Sequence, residues 1–187
     1  MRYQLNWEGR ILGEGSGYFP AEVPGNIQYD WAVKEGFADS IMYSTTAKRF
    51  LAVEDCYWEY KTVLRFEKKA DERLFFVAEG IDYIFDILLD GKTIYTHEGM
   101  FTKTELDLTE TASDGSVLQG IIHPHPKLEG APADRNQASQ SCKPPSVYEW
   151  DWNPRLLISG IWRPCYLETR GKAWIDSCEP FYSLDKD

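Results

Sequence analysis

Short segments in which bulky and polar residues alternate run through the chain, and they constrain its fold more than any other feature. In the clearest one, YWEYKTVLRF at residues 57–66, the bulky side chains of Trp58, Tyr60 and Leu64 share one parity. Residues two apart on a strand point to the same face, so this period predicts a half-buried β-strand rather than a helix.

A turn dipeptide further along the chain predicts a β-hairpin. Asp90-Gly91 separates two apolar runs in YIFDILLDGKTIYTH, and both residues tolerate the positive φ that a two-residue hairpin turn requires. Further segments of strand-like composition are RLFFVAEG (73–80), FTKTELDLT (101–109), VLQGIIHP (117–124) and RLLISGIWRPCYLETR (155–170). Many short strands separated by turns are typical of an antiparallel sandwich or jelly roll.

Two segments depart from this pattern. NIQYDWAVKEG (26–36) carries Ile27, Trp31 and Ala32 at helical spacing. Together with Gly36 as a C-cap, this spacing predicts a short helix near the N-terminus. Residues 123–146 are rich in Pro, Ser, Gln and Ala and show no period, which predicts a long loop. A loop of this length inside a compact domain is usually functional or disordered.

Length and charge narrow the class of protein. A chain of 187 residues suits one domain. The net charge of −10 disfavours binding to nucleic acid or to an anionic membrane surface, whereas a neutral ligand such as a sugar is compatible with it. No apolar run is long enough for a membrane helix, and the N-terminal residues lack the apolar core of a signal peptide, which predicts a cytoplasmic location. The four cysteines have no zinc-like spacing, and we expect free thiols, although two disulfides are arithmetically open.

Motifs for the common catalytic chemistries are missing. His123 and His125 could share a metal, but no third ligand stands at a matching spacing. GEGSG at 13–17 resembles a phosphate loop but lacks the GK[ST] ending, and there is no GxSxG. Among 30 acidic residues, nothing nominates two as the acid and nucleophile of a glycosidase. We therefore expect no catalytic residue, no metal and no cofactor in this chain.

The stretch VYEWDWNPRLLISGIWRP contains the strongest candidate for a binding site. Asp151 stands between Trp150 and Trp152, and in an extended chain the two indoles point to the face opposite the carboxylate. A carboxylate accepts hydrogen bonds from sugar hydroxyls, and an indole stacks on the C–H face of a sugar ring. This combination favours a carbohydrate site at the end of a strand.

Asp151 also has a structural interpretation. It could be a buried partner of Arg155 or Arg163 that holds the loop in place. Arg163 alternates with Trp162 in GIWRP, so the same two interpretations apply there. The residues alone leave both open.

Several longer segments occur in an order that points to a family. They are VPGNIQYDW, DCYWEYKTVLRF, FVAEGIDYIFDILLDGKTIYTHEGMFTKTELDLT and WDWNPRLLISGIWRP. In this order they resemble the N-terminal sugar-binding domain of glycoside hydrolase family 2, most closely its β-mannosidase-like branch. The resemblance runs from about Trp7 to Leu167, and its most specific parts are EGIDYIFDILLDGK followed by HEGMF, and WDW-x-PR followed by SGIWRP.

The resemblance implies an all-β fold, a galactose-binding-like jelly-roll β-sandwich with one short helix near the N-terminus. It also implies a larger parent protein, in which an immunoglobulin-like sandwich and a TIM barrel follow and the barrel carries both catalytic glutamates. On this interpretation residues 1–187 are a single domain and a fragment of a larger glycosidase, which hydrolyses nothing alone. Its partners would be a β-linked glycoside, recognised at its non-reducing-end sugar, and the two further domains of the parent chain.

The resemblance further implies which residues contact substrate. In the β-mannosidase-like branch, the aspartate of the W-D-W motif reaches into the sugar pocket of the barrel, and Asp151 is the matching position here. Trp150 and Trp152 would frame it, and Lys143 and Arg155 would lie on or beside the same loop. The long loop of residues 123–146 would project the motif toward the barrel.

The chain departs from the family pattern in two places. The family often has glycine after the second tryptophan, where this chain has Asn153, which also tolerates the left-handed region. MYSTTAKRF (42–50) lacks the asparagine that related enzymes often carry there, so β-mannosidase, exo-β-glucosaminidase, β-galactosidase and β-glucuronidase activities all stay open. We expect Trp152 and Trp162 to serve mainly in packing.

Three functions are compatible with these observations. The first is an accessory domain of a retaining exo-β-glycosidase that contributes Asp151 to a shared active site. The second is a free-standing carbohydrate-binding module, and the third is a structural domain that buttresses a barrel without touching sugar. Some jelly rolls of this kind carry a structural calcium, but no ligand set for one is visible in the sequence.

Overall fold

Two antiparallel β-sheets pack face to face in the computed structural model of the protein, which describes residues 1–13, 15–128 and 134–184. Within these ranges the strands are β1 (Arg2–Gln4), β2 (Trp7–Ile11), β3 (Phe19–Ala21), β4 (Trp58–Val63), β5 (Arg73–Ala78), β6 (Ile84–Leu89), β7 (Lys92–Glu98), β8 (Thr104–Asp107), β9 (Val117–Ile122) and β10 (Cys165–Arg170). The four-stranded sheet has the order β1-β10-β5-β8, and the six-stranded sheet has the order β3-β2-β4-β9-β6-β7. The predicted all-β sandwich is confirmed.

The period-two pattern and the turn dipeptide both appear as predicted. The first alternating segment forms β4, whose inward residues Trp58 and Tyr60 are 1% and 0% exposed. Asp90 and Gly91 join β6 to β7 with φ values of 49° and 79°, as a two-residue hairpin turn requires. Apolar residues from both sheets fill the space between them, among them Phe76, which is fully buried.

The predicted helix is α1 (Ile27–Lys34), which packs against β2 and β3. The Oδ1 atom of its N-cap Asn26 accepts a hydrogen bond from the N–H of Tyr29 at 2.9 Å, which satisfies a backbone donor that has no partner within the helix. Ile27 and Ala32 are fully buried, and Gly36 follows the helix with φ 74°. The apolar spacing and the C-cap glycine were thus correctly interpreted.

The predicted β-rich run of residues 155–170 forms a strand only over its last six residues, β10. Residues 155–164 form no strand, because their backbone hydrogen bonds go to several different segments instead of along one ladder. Gly160 exchanges two backbone hydrogen bonds with Asp82, of 2.9 and 3.0 Å. Gly160 has φ 141°, and a Cβ placed on it would lie 2.5 Å from the hydroxyl of Tyr60. Glycine is therefore required at this position.

The predicted long loop contains short helices of its own. Residues 129–133 of this loop, and Glu14 of the glycine-rich GEGSG segment, lie outside the described residues. The described part contains a 3₁₀ helix at Arg135–Gln140, and another at Pro145–Tyr148 follows it. Two further 3₁₀ helices, Ala38–Ser40 and Thr46–Val53, lie between α1 and β4.

All four cysteines lie in the described ranges, and each is a free thiol. No helix in these ranges combines the length and apolarity that crossing a bilayer needs.

Candidate functional site

The W-D-W motif forms a tight turn at one end of the sandwich. The backbone N–H of Trp150 donates to the carbonyl oxygen of Asn153 at 3.0 Å, and the N–H of Asn153 donates back to Trp150 at 3.0 Å. Asp151 and Trp152 therefore occupy the two tip positions of a hairpin-like turn. The extended conformation expected for this stretch is wrong, because the two backbone bonds reverse the chain.

The residue with positive φ beside the turn is Glu149, with φ 100°, and not Asn153. Asn153 instead uses its side-chain amide, which donates to the carbonyl oxygen of Ser146 at 2.8 Å. The asparagine thus ties the turn to the preceding 3₁₀ helix and takes no left-handed conformation.

The turn exposes both tryptophans to different degrees. Trp152 is 79% exposed and Trp150 is 37% exposed, and their rings meet edge to face with centroids 6.4 Å apart. The expectation that Trp152 serves in packing is wrong, because it stands at the tip and covers no core residue. Trp162 does pack: its Nε1 donates to the carbonyl oxygen of Met100 at 2.9 Å, and the ring lies directly over Gly80.

Asp151 is exposed, and within the described ranges its carboxylate has no ion pair and no hydrogen bond. Arg155, the first partner considered for it, binds Glu54 instead. Arg163, the second, lies over the Trp162 ring at 4.6 Å. The structural interpretation of Asp151 as a buried ion-pair partner is therefore wrong.

An open cleft of about 520 Å³ lies beside the turn. The residues that line it are Asp134, Arg135, Asn136, Glu149, Trp150 and Asp151. The Arg135 guanidinium lies 5.3 Å from the centre of the Trp150 ring, so a cation and an indole form one side of the cleft. Asp151 adds an unpaired acceptor at its edge, where a ligand with hydroxyl donors could be held.

Arg155 is buried beneath this region. Its guanidinium makes two hydrogen bonds to the Glu54 carboxylate, Nε to Oε2 at 2.9 Å and Nη2 to Oε1 at 2.6 Å. Burial alone would raise the pKa of Glu54, but the hydrogen bonds from Arg155 and Lys127 outweigh it and leave this pKa below its usual value. Arg155 therefore stays paired inside the domain and does not face the cleft as a free cation.

Lys143 is also buried, at 3% exposure. Its ammonium group pairs with the Asp82 carboxylate and donates to the carbonyl oxygen of Ile158 at 2.7 Å. Burial raises the pKa of Asp82 and lowers the pKa of Lys143, as expected for a pair held away from water. Lys143 thus fixes the loop before the turn to the segment of residues 155–164.

The two histidines of HPHP do not meet at a metal site. The Nε2 atom of His123 lies 2.7 Å from an oxygen of Asp86 on the six-stranded sheet, whereas His125 is buried and only 5% exposed. Over the described part of the chain, no three His, Cys, Asp or Glu side chains converge as metal ligands.

Sequence reasoning missed the partners that fix the loop, Glu54, Asp82 and Gln137. Asp82 lies within the EGIDYIFDILLDGK segment, but nothing in that segment marks it as the partner of a lysine 61 residues away. Glu54 and Gln137 stand in stretches without a motif. An ion pair between distant segments leaves no local signal, so only the structure could identify these residues.

Comparisons with known proteins agree with this architecture. The sequence model of the family described as glycosyl hydrolase 2 galactose-binding domain-like matches residues 7–163. The β-mannosidase of Rattus norvegicus is 22% identical over 93% of this chain and 22% of its own length. The β-mannosidase B of Aspergillus clavatus is 28% identical over 78% of this chain and 19% of its own length. The chain thus spans about a fifth of the length of these curated relatives.

Solved structures show the same fold. The β-D-mannosidase of Dictyoglomus thermophilum superposes with a TM-score of 0.74 at 22% identity, covering 91% of this chain and 22% of that one. The exo-chitosanase of Amycolatopsis orientalis superposes with a TM-score of 0.64 at 16% identity, covering 91% and 21%. Because the family model covers most of the chain and the sandwich agrees with its description, this chain belongs to the glycosyl hydrolase 2 galactose-binding domain-like family.

Proposed function

We propose that this chain is the N-terminal accessory domain of a retaining exo-β-glycosidase of the β-mannosidase kind. In this proposal the turn at residues 150–153 enters the active site of a catalytic barrel supplied by the parent protein. Asp151 accepts hydrogen bonds from hydroxyl groups of the non-reducing-end sugar. Catalysis itself belongs to two carboxylates of the barrel, so the domain alone is inactive.

The observation that carries the proposal is the exposed carboxylate of Asp151, without a partner in the described ranges, at the tip of a turn closed by two backbone hydrogen bonds. The chain has 20 Lys and Arg residues that could form an ion pair with an acidic side chain on a loop. Asp151 pairs with none of them in the described ranges, although Arg155 follows four residues later. A carboxylate without a partner inside the domain is free to accept hydrogen bonds from donors outside it.

The neighbours of Asp151 suit a sugar ligand. Trp152 stands beside it at the tip, 79% exposed, and can stack on the apolar face of a pyranose ring. Trp150 and Arg135 form the adjoining side of the cleft. Lys143 and Arg155, which we predicted as substrate contacts, support the loop from within in this proposal.

The likeness to β-mannosidases supports the choice of enzyme class. The relatives from Rattus norvegicus and Aspergillus clavatus are both β-mannosidases. The β-D-mannosidase structure superposes with a higher TM-score, 0.74, than the exo-chitosanase, 0.64. The exo-chitosanase with the same fold keeps other sugars open.

Kinetics of the full-length protein that carries this domain test the proposal. Asp151→Asn keeps the size of the side chain and removes its charge. We expect it to lower kcat/KM on the preferred aryl β-glycoside, drawn from a panel of mannoside, glucosaminide, galactoside and glucuronide, by about a hundredfold, or about 2.7 kcal/mol. The matched control is Asp71→Asn, an exposed aspartate at the opposite end of the sandwich, which should leave kcat/KM unchanged. Near-normal activity of a folded Asp151→Asn protein would refute the proposal.

A free-standing carbohydrate-binding module is the second candidate, favoured by the preformed cleft beside Trp150. Titration of this chain with mannose and with mannobiose, followed by the indole N–H signals, separates the two. Saturable binding that Trp150→Ala abolishes would support the module. Absence of binding together with the Asp151→Asn effect above would support the accessory domain, whose half-site makes too few contacts to bind sugar well alone.

A further inference from the structure

Arg155 connects the two segments that border the cleft. Its Nη1 donates long hydrogen bonds of 3.4 Å to the carbonyl oxygens of Asp134 and Tyr148. Its Nη2 also donates to the side-chain carbonyl of Gln137. Asp134 itself lines the cleft, and Tyr148 directly precedes the Glu149-Trp150 pair that lines its other side. A single guanidinium therefore sets the spacing between these two segments.

Glu54 sets the position of that guanidinium. It lies 101 residues before Arg155, just after the 3₁₀ helix at Thr46–Val53. Both of its carboxylate oxygens are used by Arg155, and the two side chains are each 7% exposed. A bidentate pair fixes the plane as well as the position of a guanidinium.

Lys127 completes the support from a third segment. Its ammonium lies 2.8 Å from Glu54 Oε1 and 2.6 Å from Asp55 Oδ1. Without the Glu54 charge, Arg155 and Lys127 would be two neighbouring cations with only the exposed Asp55 to balance them. The guanidinium would then lose the partner that orients it, and it would be free to turn toward water.

We infer that Glu54 is a positioning residue for the Asp151 turn, acting through Arg155 on the segments that border the cleft. This inference rests on the proposed function, because it assumes that the position of Asp151 matters to a substrate. Glu54 is not among the residues that line the cleft. Its role is to hold a geometry in which an error of about 1 Å can cost up to about a hundredfold in rate.

A double-mutant cycle on the full-length protein tests the inference. Glu54→Gln should lower kcat/KM by about tenfold to a hundredfold. If Glu54 acts through Asp151, then adding Glu54→Gln to Asp151→Asn should cause little further loss. Losses that multiply would overturn the inference, because Glu54 would then act somewhere else. If Asp151→Asn lowers kcat/KM and Glu54→Gln does not, the inference fails and the proposed function stands.

The chain offers a matched control for loss of a charged pair. Glu105 holds Arg170 with two bonds of 2.7 and 2.8 Å in the four-stranded sheet, far from the turn. Glu105→Gln should leave kcat/KM unchanged. An equal loss in Glu105→Gln and Glu54→Gln would overturn the inference, because it would reflect general loosening of the sandwich.

A readout that needs no activity separates this inference from the proposed function. In ¹H–¹⁵N spectra of this chain, the indole signals of Trp150 and Trp174 can be assigned by single Trp→Phe variants. Glu54→Gln should shift or broaden the signal of Trp150 and leave that of Trp174 in place. Glu105→Gln should shift or broaden the signal of Trp174 and leave that of Trp150 in place, because the centre of the Trp174 ring lies 5.7 Å from the Arg170 guanidinium.

An unmoved Trp150 signal in folded Glu54→Gln protein would overturn the inference even if Asp151 proves essential. If Glu54→Gln does not fold, Gln137→Ala removes an uncharged contact from the same guanidinium. Gln137→Ala should then shift or broaden the Trp150 signal. Combined with Asp151→Asn, it should cause little further loss of kcat/KM.

Discussion

His125 should make the domain sensitive to mild acid. The side chain is 5% exposed, and neither ring nitrogen has a hydrogen-bond partner in the described part of the chain. Burial, and after it the nearby charge of Lys143, together lower the pKa of His125 to about 3, although the backbone of Ile158 and the charge of Glu54 oppose these effects. The folded protein therefore keeps this imidazole neutral at any pH above about 3.

The size of the effect follows from proton linkage. Between pH 6.5 and 3 the unfolded chain binds a proton at His125 that the folded chain does not, so the free energy of unfolding falls as the pH falls. Each pH unit below about 6.5 costs about 1.4 kcal/mol, so the loss from pH 7.5 to pH 5.0 is about 2 kcal/mol. Asp30 acts in the opposite direction, because burial raises its pKa to about 6 and the folded state gains a proton there below that pH.

The comparison of wild type with His125→Phe isolates the histidine from Asp30 and all other groups. Phenylalanine keeps an aromatic ring in the buried position but cannot bind a proton. Urea unfolding at pH 7.5 and 5.0 measures both proteins. We expect wild type to lose about 2 kcal/mol more than His125→Phe between the two pH values. Equal losses would refute the reasoning, because His125 would then bind a proton equally in both states.

Two further predictions concern the supports of the turn. Lys143→Met should lower the free energy of unfolding by about 3–5 kcal/mol, because it leaves the Asp82 carboxylate buried without its cation; a loss below about 1 kcal/mol would contradict the assigned burial. Gly160→Ala should cost about 1–3 kcal/mol more than Gly91→Ala, since both glycines have positive φ but only Gly160 would bring a Cβ against the Tyr60 hydroxyl. Denaturant unfolding measures the free energy of unfolding of each variant. Equal losses for the two glycine variants would show that residues 155–164 shift to accommodate the added Cβ.

Much of the sandwich could be predicted because its signals are local. The parity of Trp58, Tyr60 and Leu64 identified β4, and Asp90-Gly91 identified the β6–β7 hairpin, because face and turn type depend on adjacent residues. The helix after Asn26 was predicted for the same reason. Strand ends were less accurate, since backbone pairing and not side-chain pattern decides where a ladder stops.

The sequence named a candidate site but did not predict its geometry. The resemblance pointed to Asp151, but neither alternation nor resemblance revealed that the chain reverses at residues 150–153. The packing role predicted for Trp152 was wrong. The prediction followed from the usual burial of indoles, whereas the exposure of Trp152 results from the chain reversal at residues 150–153. Glu54 could not be found at all, because its pairing with Arg155 joins segments 101 residues apart.

The central claim is that the Asp151 carboxylate contacts a particular hydroxyl group of the substrate sugar. The most direct test measures kcat/KM of full-length wild type and Asp151→Asn on a series of aryl glycosides that each lack one hydroxyl group. On the parent glycoside the variant should lose about a hundredfold. On the analogue that lacks the contacted hydroxyl, wild type and variant should be nearly equal, because the bond is absent from both. A loss of the same size on every analogue would contradict the account and make the turn a structural element.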